Sequence, residues 1–237
     1  MKKLPLLNFV LLFFLAIALY FLWNRKPLHS FGEIKAERLS IVGPDGQLYI
    51  SISNPERQAL VTHRGKVMDT SVTNRDLPGL IFFNRLGDEV GGIYYDGDEK
   101  ESFQGITFDQ QDNDQVMVIS KQEYLEDDKW QRFYGMYFRD RKDSIRNSEY
   151  YAQFKRDTVG LKDSLKQVAT KNFYDRLWTE IDVYRMFLGR YENRETGLFI
   201  HDTKGRERIK IFVDSNDLPQ ILVLDTLGQQ RDLIRLK

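Results

Sequence analysis

Hydrophobic positions follow three different rhythms along the chain. From Leu4 to Trp23 they form one run, interrupted only by Pro5 and Asn8, and about 20 residues at a rise of 1.5 Å match a hydrocarbon layer of about 30 Å. Beyond Pro27 the rhythm changes to short alternating runs. An alternating apolar pair is followed by Gly, Asn or Asp, then by a Gly three residues on, then by a second alternating run. The pattern appears as Leu39, Ile41, Gly43, Gly46; as Leu80, Phe82, Asn84, Gly87; as Leu198, Ile200, Asp202, Gly205; and as Ile221, Val223, Asp225, Gly228. A looser copy runs from Ile106 and Phe108 through Asp112-Asn113-Asp114 to Val116 and Val118, and Ser215-Asn216-Asp217 links Ile209-Ile211 to Ile221-Val223. Period-two alternation predicts strands with one buried face, Asp or Asn side chains cap the turns, and the Gly takes a left-handed position. Gly205 and Gly228 are therefore expected at positive φ.

The third rhythm lies between about Asp140 and Ile181, where charged stretches carry apolar residues at helical spacing: Tyr151, Phe154, Leu161, Leu165, Val168 and Leu177. Leu161, Leu165 and Val168 fall on one helical face. Ser148 reads as a helix start and Gly160 as an interruption. The fold class expected is mainly β, built of antiparallel hairpins and a meander with a helical insertion, preceded by one N-terminal transmembrane helix. Its parts are a cytoplasmic start and anchor over 1–26, a tether over 27–35, an N-terminal β part over 36–139, the helical insertion over 140–182 and a C-terminal meander over 183–237. Whether the two β parts form one sheet system or two subdomains stays open.

Tyr20 and Trp23 suit the membrane interface, and Arg25 and Lys26 can reach the headgroups. A cleaved signal peptide is the rival reading, on the A-x-A-like Ala16-Ile17-Ala18. The chain stays apolar through Trp23, which favours one uncleaved helix in the lipid bilayer from Leu4 to Trp23. The Lys2-Lys3 start points to a cytoplasmic amino terminus, hence a single-pass inner-membrane protein with its C-terminal domain outside the cytoplasm. Composition adds exclusions. Lys+Arg and Asp+Glu both number 35, so no basic footprint suggests a nucleic-acid partner. Cysteine is absent, which removes disulfides, thiolate metal sites and cysteine nucleophiles.

Candidate chemistry is sparse. No G-x-S-x-G, H-E-x-x-H, P-loop or G-x-G-x-x-G occurs, so no catalytic residue is assigned and no cofactor is expected. His29 lies beside the membrane segment, leaving His63 and His201 for acid–base work. His201 reads as a strand residue facing solvent, although the neighbouring Asp202 could raise its pKa. The acidic turn Asp96, Asp98, Glu99 and Glu101, with Asp88 and Glu89 one hairpin arm away, offers oxygens for Ca²⁺, as do Asp109, Asp112 and Asp114; solvated acidic loops explain the same residues. Trp130, Tyr134 and Tyr137, among arginines and carboxylates, are the candidate surface for an envelope protein or glycan. Rings of a strand packed on the helical insertion are the plainer account.

The stretch from Met186 to Ile234, with Phe-Leu-Gly-Arg and "FIHDTKGRERIKIFVDSNDLPQILVLDTLGQ", resembles the C-terminal part of a group of uncharacterised bacterial proteins common among Bacteroidetes-type bacteria. "LSIVGPDGQLYISISN" and "PGLIFFNRLGDEVGG" resemble the front of the same group. The resemblance implies a membrane-anchored β protein and carries over no activity or catalytic residue. The reading it leaves is a non-enzymatic envelope module that binds a partner or gives support. The alternatives are an envelope hydrolase using a carboxylate pair and a secreted binding protein released by cleavage.

Overall fold

Each alternating run pairs with the next across a short turn, so the chain lays its strands side by side in the order in which they are made. In the computed structural model, which describes residues 4–23, 32–68 and 76–231, this gives a twelve-stranded antiparallel sheet. Its strands are β1 (Arg38–Val42), β2 (Leu48–Ser53), β5 (Gly79–Phe83), β6 (Glu89–Gly97), β7 (Glu101–Asp109), β8 (Gln115–Glu126), β9 (Lys129–Arg141), β10 (Asp182–Arg190), β11 (Thr196–His201), β12 (Glu207–Val213), β13 (Pro219–Leu224) and β14 (Gln230–Arg231). A two-stranded hairpin, β3 (Thr62–His63) and β4 (Lys66–Val67), sits in the connection from β2 to β5. The helices α2 (Asn147–Thr158) and α3 (Asp163–Arg176), followed by a π-helical turn (Leu177–Ile181), lie between β9 and β10.

The chain divides into two units, Met1–Lys35 and Ala36–Lys237. The first contains α1 (Leu4–Trp23), with no acidic residue in its first turn and no basic residue in its last. Its side chains are described from Asn8 on. Among the described residues no helix is long and apolar enough to cross a membrane. Lys2, Lys3, Arg25, Lys26, His29 and most of the tether fall outside the described residues.

The turns repeat one geometry. At Gly43, Asn84, Gln110, Tyr191, Asp202, Asp214 and Asp225 the residue's N–H donates to the carbonyl four residues on, while its own carbonyl accepts from the N–H three residues on. The side chain completes the turn: Oδ1 of Asp225 accepts from Leu227 N at 2.8 Å and Gln229 N at 3.0 Å, and Asn84, Asp202 and Asp214 do the same. The left-handed residue closing the turn is the expected Gly205 (φ 72°) and Gly228 (φ 78°); Asp217 (φ 63°) and Arg194 (φ 73°) occupy the equivalent position without glycine.

The insertion does not split the sheet. β9 pairs with β10 across it, with Asp182 opposite Arg141 and Tyr134 opposite Arg190, so the two predicted β parts are one sheet. Asp182, 2% exposed, accepts from Arg139 at 2.8 Å and lies 3.3 Å from Arg141. Gly160 (φ 75°) lies between the helices as expected. Of the expected apolar helical positions, Tyr151, Phe154 and Leu177 pack inward, but the face of Leu161, Leu165 and Val168 does not. Leu165 and Val168 are exposed, and the helices pack instead through Phe173, Leu177 and Ile181 against Tyr150, Tyr151 and Phe154. Large aromatic rings bury more apolar area per residue than the Leu/Val stripe, and they won the inward face.

The two faces of the sheet are unlike, and the register defines them. One face carries Ser51, Ile81, Gly92, Thr107, Val118, Tyr137, Phe187, Phe199, Lys210 and Leu222 as successive cross-strand partners. Beside that row runs a second: Ser53, Gly79, Tyr94, Gly105, Ser120, Gly135, Gly189, Gly197 and Phe212. Ring and glycine interlock there. A Cβ on Gly135 or Gly189 would meet the Phe187 ring at 2.5 or 2.7 Å, and one on Gly105 would meet the Tyr94 ring at 2.3 Å. This is the buried face: Phe187, Phe199, Val118 and Ser51 are all fully buried. Ala59 of the β2–β5 connection covers Ile81 and Phe83 at one end.

Gly205 allows a direct check of the turn geometry. Gly205→Val should cost about 1–2 kcal/mol of unfolding free energy from its left-handed backbone, and Gly205→Asn clearly less, since both add the same Cβ but Asn tolerates that region. Denaturant titration of the two variants with equal midpoints would contradict the assignment.

Candidate functional site

Apart from Val116 and Val118, the second of which is fully buried, the alternating pairs that predicted the strands lie on the other face, the reverse of the expectation that these pairs are buried. Leu39, Ile52, Leu80, Ile93, Ile106, Ile119, Met136, Leu188, Leu198, Ile211 and Ile221 are cross-strand partners in one continuous row. Next to it run Ile41, Ile50, Phe82, Gly91, Phe108, Met117, Phe138, Met186, Ile200, Ile209 and Val223. The two rows cross every strand of the sheet but the last, and their only break is Gly91. In the first row Leu80, Met136 and Leu198 are half-buried, and the other eight members are exposed, from 37% at Ile106 to 61% at Ile221. Neighbours in the row shield each other's flanks, so the remaining exposure is the outward side, on which no described residue of the 36–237 unit forms a buried cluster. A depression of about 480 Å³ crosses β6, β7 and β8 and is lined in part by Ile93, Tyr95, Ile106 and Ile119.

Alternation is why the face is aliphatic throughout. A strand that puts Gly, Ser or a ring inward at one position must present its next residue outward, and those next residues are Ile, Leu, Met and Phe. Polar groups appear only at the margin. Arg190 lies over the Tyr134 ring at 5.8 Å, and Glu123 pairs with Lys121 at 2.7 Å and Arg132 at 2.9 Å.

The aromatic candidates divide between the faces. Trp130 and Tyr134 are 40% and 43% exposed and belong to the aliphatic face, since Leu125 and Lys121 are their register partners. Tyr137 points the other way, stacked on Tyr184 with centroids 6.0 Å apart and beneath Arg139 at 5.2 Å. These three residues do not form one surface. Adjacent ring positions in a strand share a face only when separated by an even number, and Tyr134 to Tyr137 is odd.

The acidic turn is self-contained. Oδ1 of Asp98 accepts from Lys100 N at 2.6 Å and Glu101 N at 3.0 Å, which holds its carboxyl below the usual carboxylate range. Asp96 accepts from Gly97 N. The carboxylates Asp96, Asp98, Glu99 and Glu101 do not converge as a ligand set; among the described residues the metal-capable group is elsewhere, where His63 meets Asp88 and Asp112. The sequence offered these three separately, and three different loops bring them together.

His201 corrects a second expectation. It is 8% exposed, set edge-on against Tyr184 at 5.2 Å, with Nδ1 buried and unpartnered. Burial lowers its pKa and outweighs the opposite pull of Glu207 and Asp202. Asp202 is held well below the usual carboxylate range, chiefly by the Arg206 side chain. With the geometry in hand, comparison with known proteins adds no identity: no family model, curated protein or solved structure matches this chain.

The His201 environment sets a pH dependence. A folded-state pKa below the ordinary 6.5 means that the unfolded chain takes up the proton first, so this contribution to stability is complete above about pH 6.5 and is lost as pH falls below it. Thermal melts from pH 7.5 to 5 should therefore fall more steeply for the wild type than for His201→Phe. Parallel curves would contradict the buried, neutral imidazole.

Proposed function

We propose that this protein is a membrane-anchored, extracytoplasmic module of the cell envelope that works by burying the aliphatic face of its sheet against a second copy of the same chain. The observation that carries the reading is the pair of apolar rows crossing all but the last of the strands, with eight members of the first row exposed. Strands about 4.8 Å apart and rows about 7 Å apart give a strip of roughly 50 by 13 Å, on the order of 650 Å². That exceeds what soluble monomers usually leave bare and approaches the about 800 Å² per partner of a standard specific interface. Two such strips stack at the ordinary sheet-to-sheet distance of about 10 Å, and a two-fold arrangement needs only one self-complementary patch. Burial at about 25 cal/mol per Å² makes the apolar strip a strong driving force before ordering costs are subtracted.

Support for the anchor comes from the sequence, where Leu4 to Trp23 carry no charged residue and about 20 residues at 1.5 Å rise match a hydrocarbon layer of about 30 Å. With the domain held outside the cytoplasmic membrane, pairing of two chains would make a support or docking platform there, in keeping with the group that the Asp-x-x-Gly hairpins resemble. The hydrolase alternative has less behind it. Asp88 and Asp112 do approach each other, but they lie away from the depression on the sheet.

Residues 36–237 form a unit of their own, so the interface can be tested without detergent. Sedimentation of that unit should give a dimer, and Ile106→Lys should give a monomer with unchanged circular dichroism. A wild-type monomer persisting at about 100 μM would overturn the pairing. Alkaline phosphatase fused after Lys237 should be active in cells; activity from a cytoplasm-only reporter instead would reverse the compartment.

A further inference from the structure

The turn between β5 and β6, the turn between β7 and β8 and the β3–β4 hairpin meet at one end of the sheet, each bringing one ligand-bearing side chain. His63 Nε2, an oxygen of Asp88 and an oxygen of Asp112 lie within 4.8 Å of one another. All three residues expose a ligand atom that is cut off from solvent and has no hydrogen-bond partner: His63 Nε2, Asp88 Oδ2 and Asp112 Oδ1. Asp88 is the telling one. The residue is 4% exposed; its Oδ1 accepts from Arg64 N at 2.5 Å, which aims the other oxygen at the cluster with nothing to receive it. Leaving a buried carboxylate oxygen unmet is costly.

From this geometry we infer a binding site for a divalent transition ion of the zinc type, held by His63, Asp88 and Asp112. Tetrahedral ligands about 2.0–2.1 Å from a zinc ion sit about 3.4 Å apart. His63 Nε2 and Asp112 Oδ1 are already 3.6 Å apart, and the Asp88 oxygen, within 4.8 Å of both, needs a shift of at most about 1.4 Å to complete the triangle. An imidazole beside two carboxylates selects zinc-like ions over Ca²⁺ or Mg²⁺, which prefer oxygen ligands alone. Water fills the fourth position.

The charges around the site have to be weighed. Arg146 Nη2 lies 3.3 Å from Asp112 Oδ1 and Arg64 Nη2 lies 3.9 Å from Asp112 Oδ2. Both guanidinium groups bear on Asp112, leaving the Asp88 carboxylate with only a backbone donor. Arg64 is largely exposed at 64% and can swing to solvent when an ion enters. The ion would clasp the β3–β4 hairpin to the sheet, adding to the bond from Thr62 Oγ1 to the Gly87 carbonyl at 2.6 Å.

The test is zinc titration of the full-length, detergent-solubilised protein after chelator treatment, read by competition with a chromophoric chelator and by melting temperature. One zinc per chain should bind, raising the melting temperature, and His63→Gln, Asp88→Asn and Asp112→Asn should each weaken binding by about tenfold or more. Asp96→Asn, in the acidic turn, should bind as the wild type does. Circular dichroism of each variant identifies any that fails to fold, and Asp112→Asn, on the most open of the three loops, keeps the test available if Asp88→Asn does not. No saturable binding to the wild type, or equal binding in folded His63→Gln and Asp112→Asn, overturns the site.

Discussion

Everything in this fold depends on a constraint of strand geometry: each residue that points into the core obliges its neighbour to point out. Among the described residues of 36–237, the buried clusters lie on one face. The β2–β5 connection lies over Ile81 and Phe83, and rings lie over the glycines of β7, β9 and β10. That face spends its volume on close approach, with Phe187, Phe199 and Phe212 in one cluster. The aliphatic residues displaced from it gather on the opposite face, in rows that follow the register across the sheet. A sheet of this kind normally needs a second layer, and the pairing proposed above would provide it.

The turns make that arrangement possible. One hydrogen-bonding pattern, capped by Asp or Asn, recurs from Gly43 to Asp225, and it keeps successive strands in adjacent positions with no crossing connection. The regular register that follows is what aligns Ile with Ile over so many strands. The insertion of α2 and α3 respects it: Asp182 takes up Arg139 and Arg141 where the chain re-enters the sheet, and breaking such a buried pair costs on the order of 3–5 kcal/mol.

The sequence made the local features legible. The turn glycines, the helical insertion and its break at Gly160 followed from residues within a few positions of each other. What it hid depended on partners far along the chain. Alternation marks Leu198 and Ile200 as sharing a face but does not say whether that face is covered, because the cover comes from Phe199 packing on Phe187 and Phe212. For the same reason His201 looked exposed beside its turn and proved buried, and Tyr137 left the surface assigned to Trp130 and Tyr134. His63, Asp88 and Asp112 carried no spacing signal, since three separate loops deliver them.

The claim at the centre is that the aliphatic face is covered in the assembled protein while the insertion is not. The chain has no cysteine, so single cysteines can be placed at Ile106, in the middle of the face, and at Leu165, exposed on α3. If the chain pairs as proposed, maleimide labelling of the full-length protein in its native cells should modify Leu165→Cys rapidly and Ile106→Cys slowly, with Ile106→Cys becoming reactive on dilution of the isolated 36–237 unit. Equal, rapid labelling at both positions in the membrane would contradict the account.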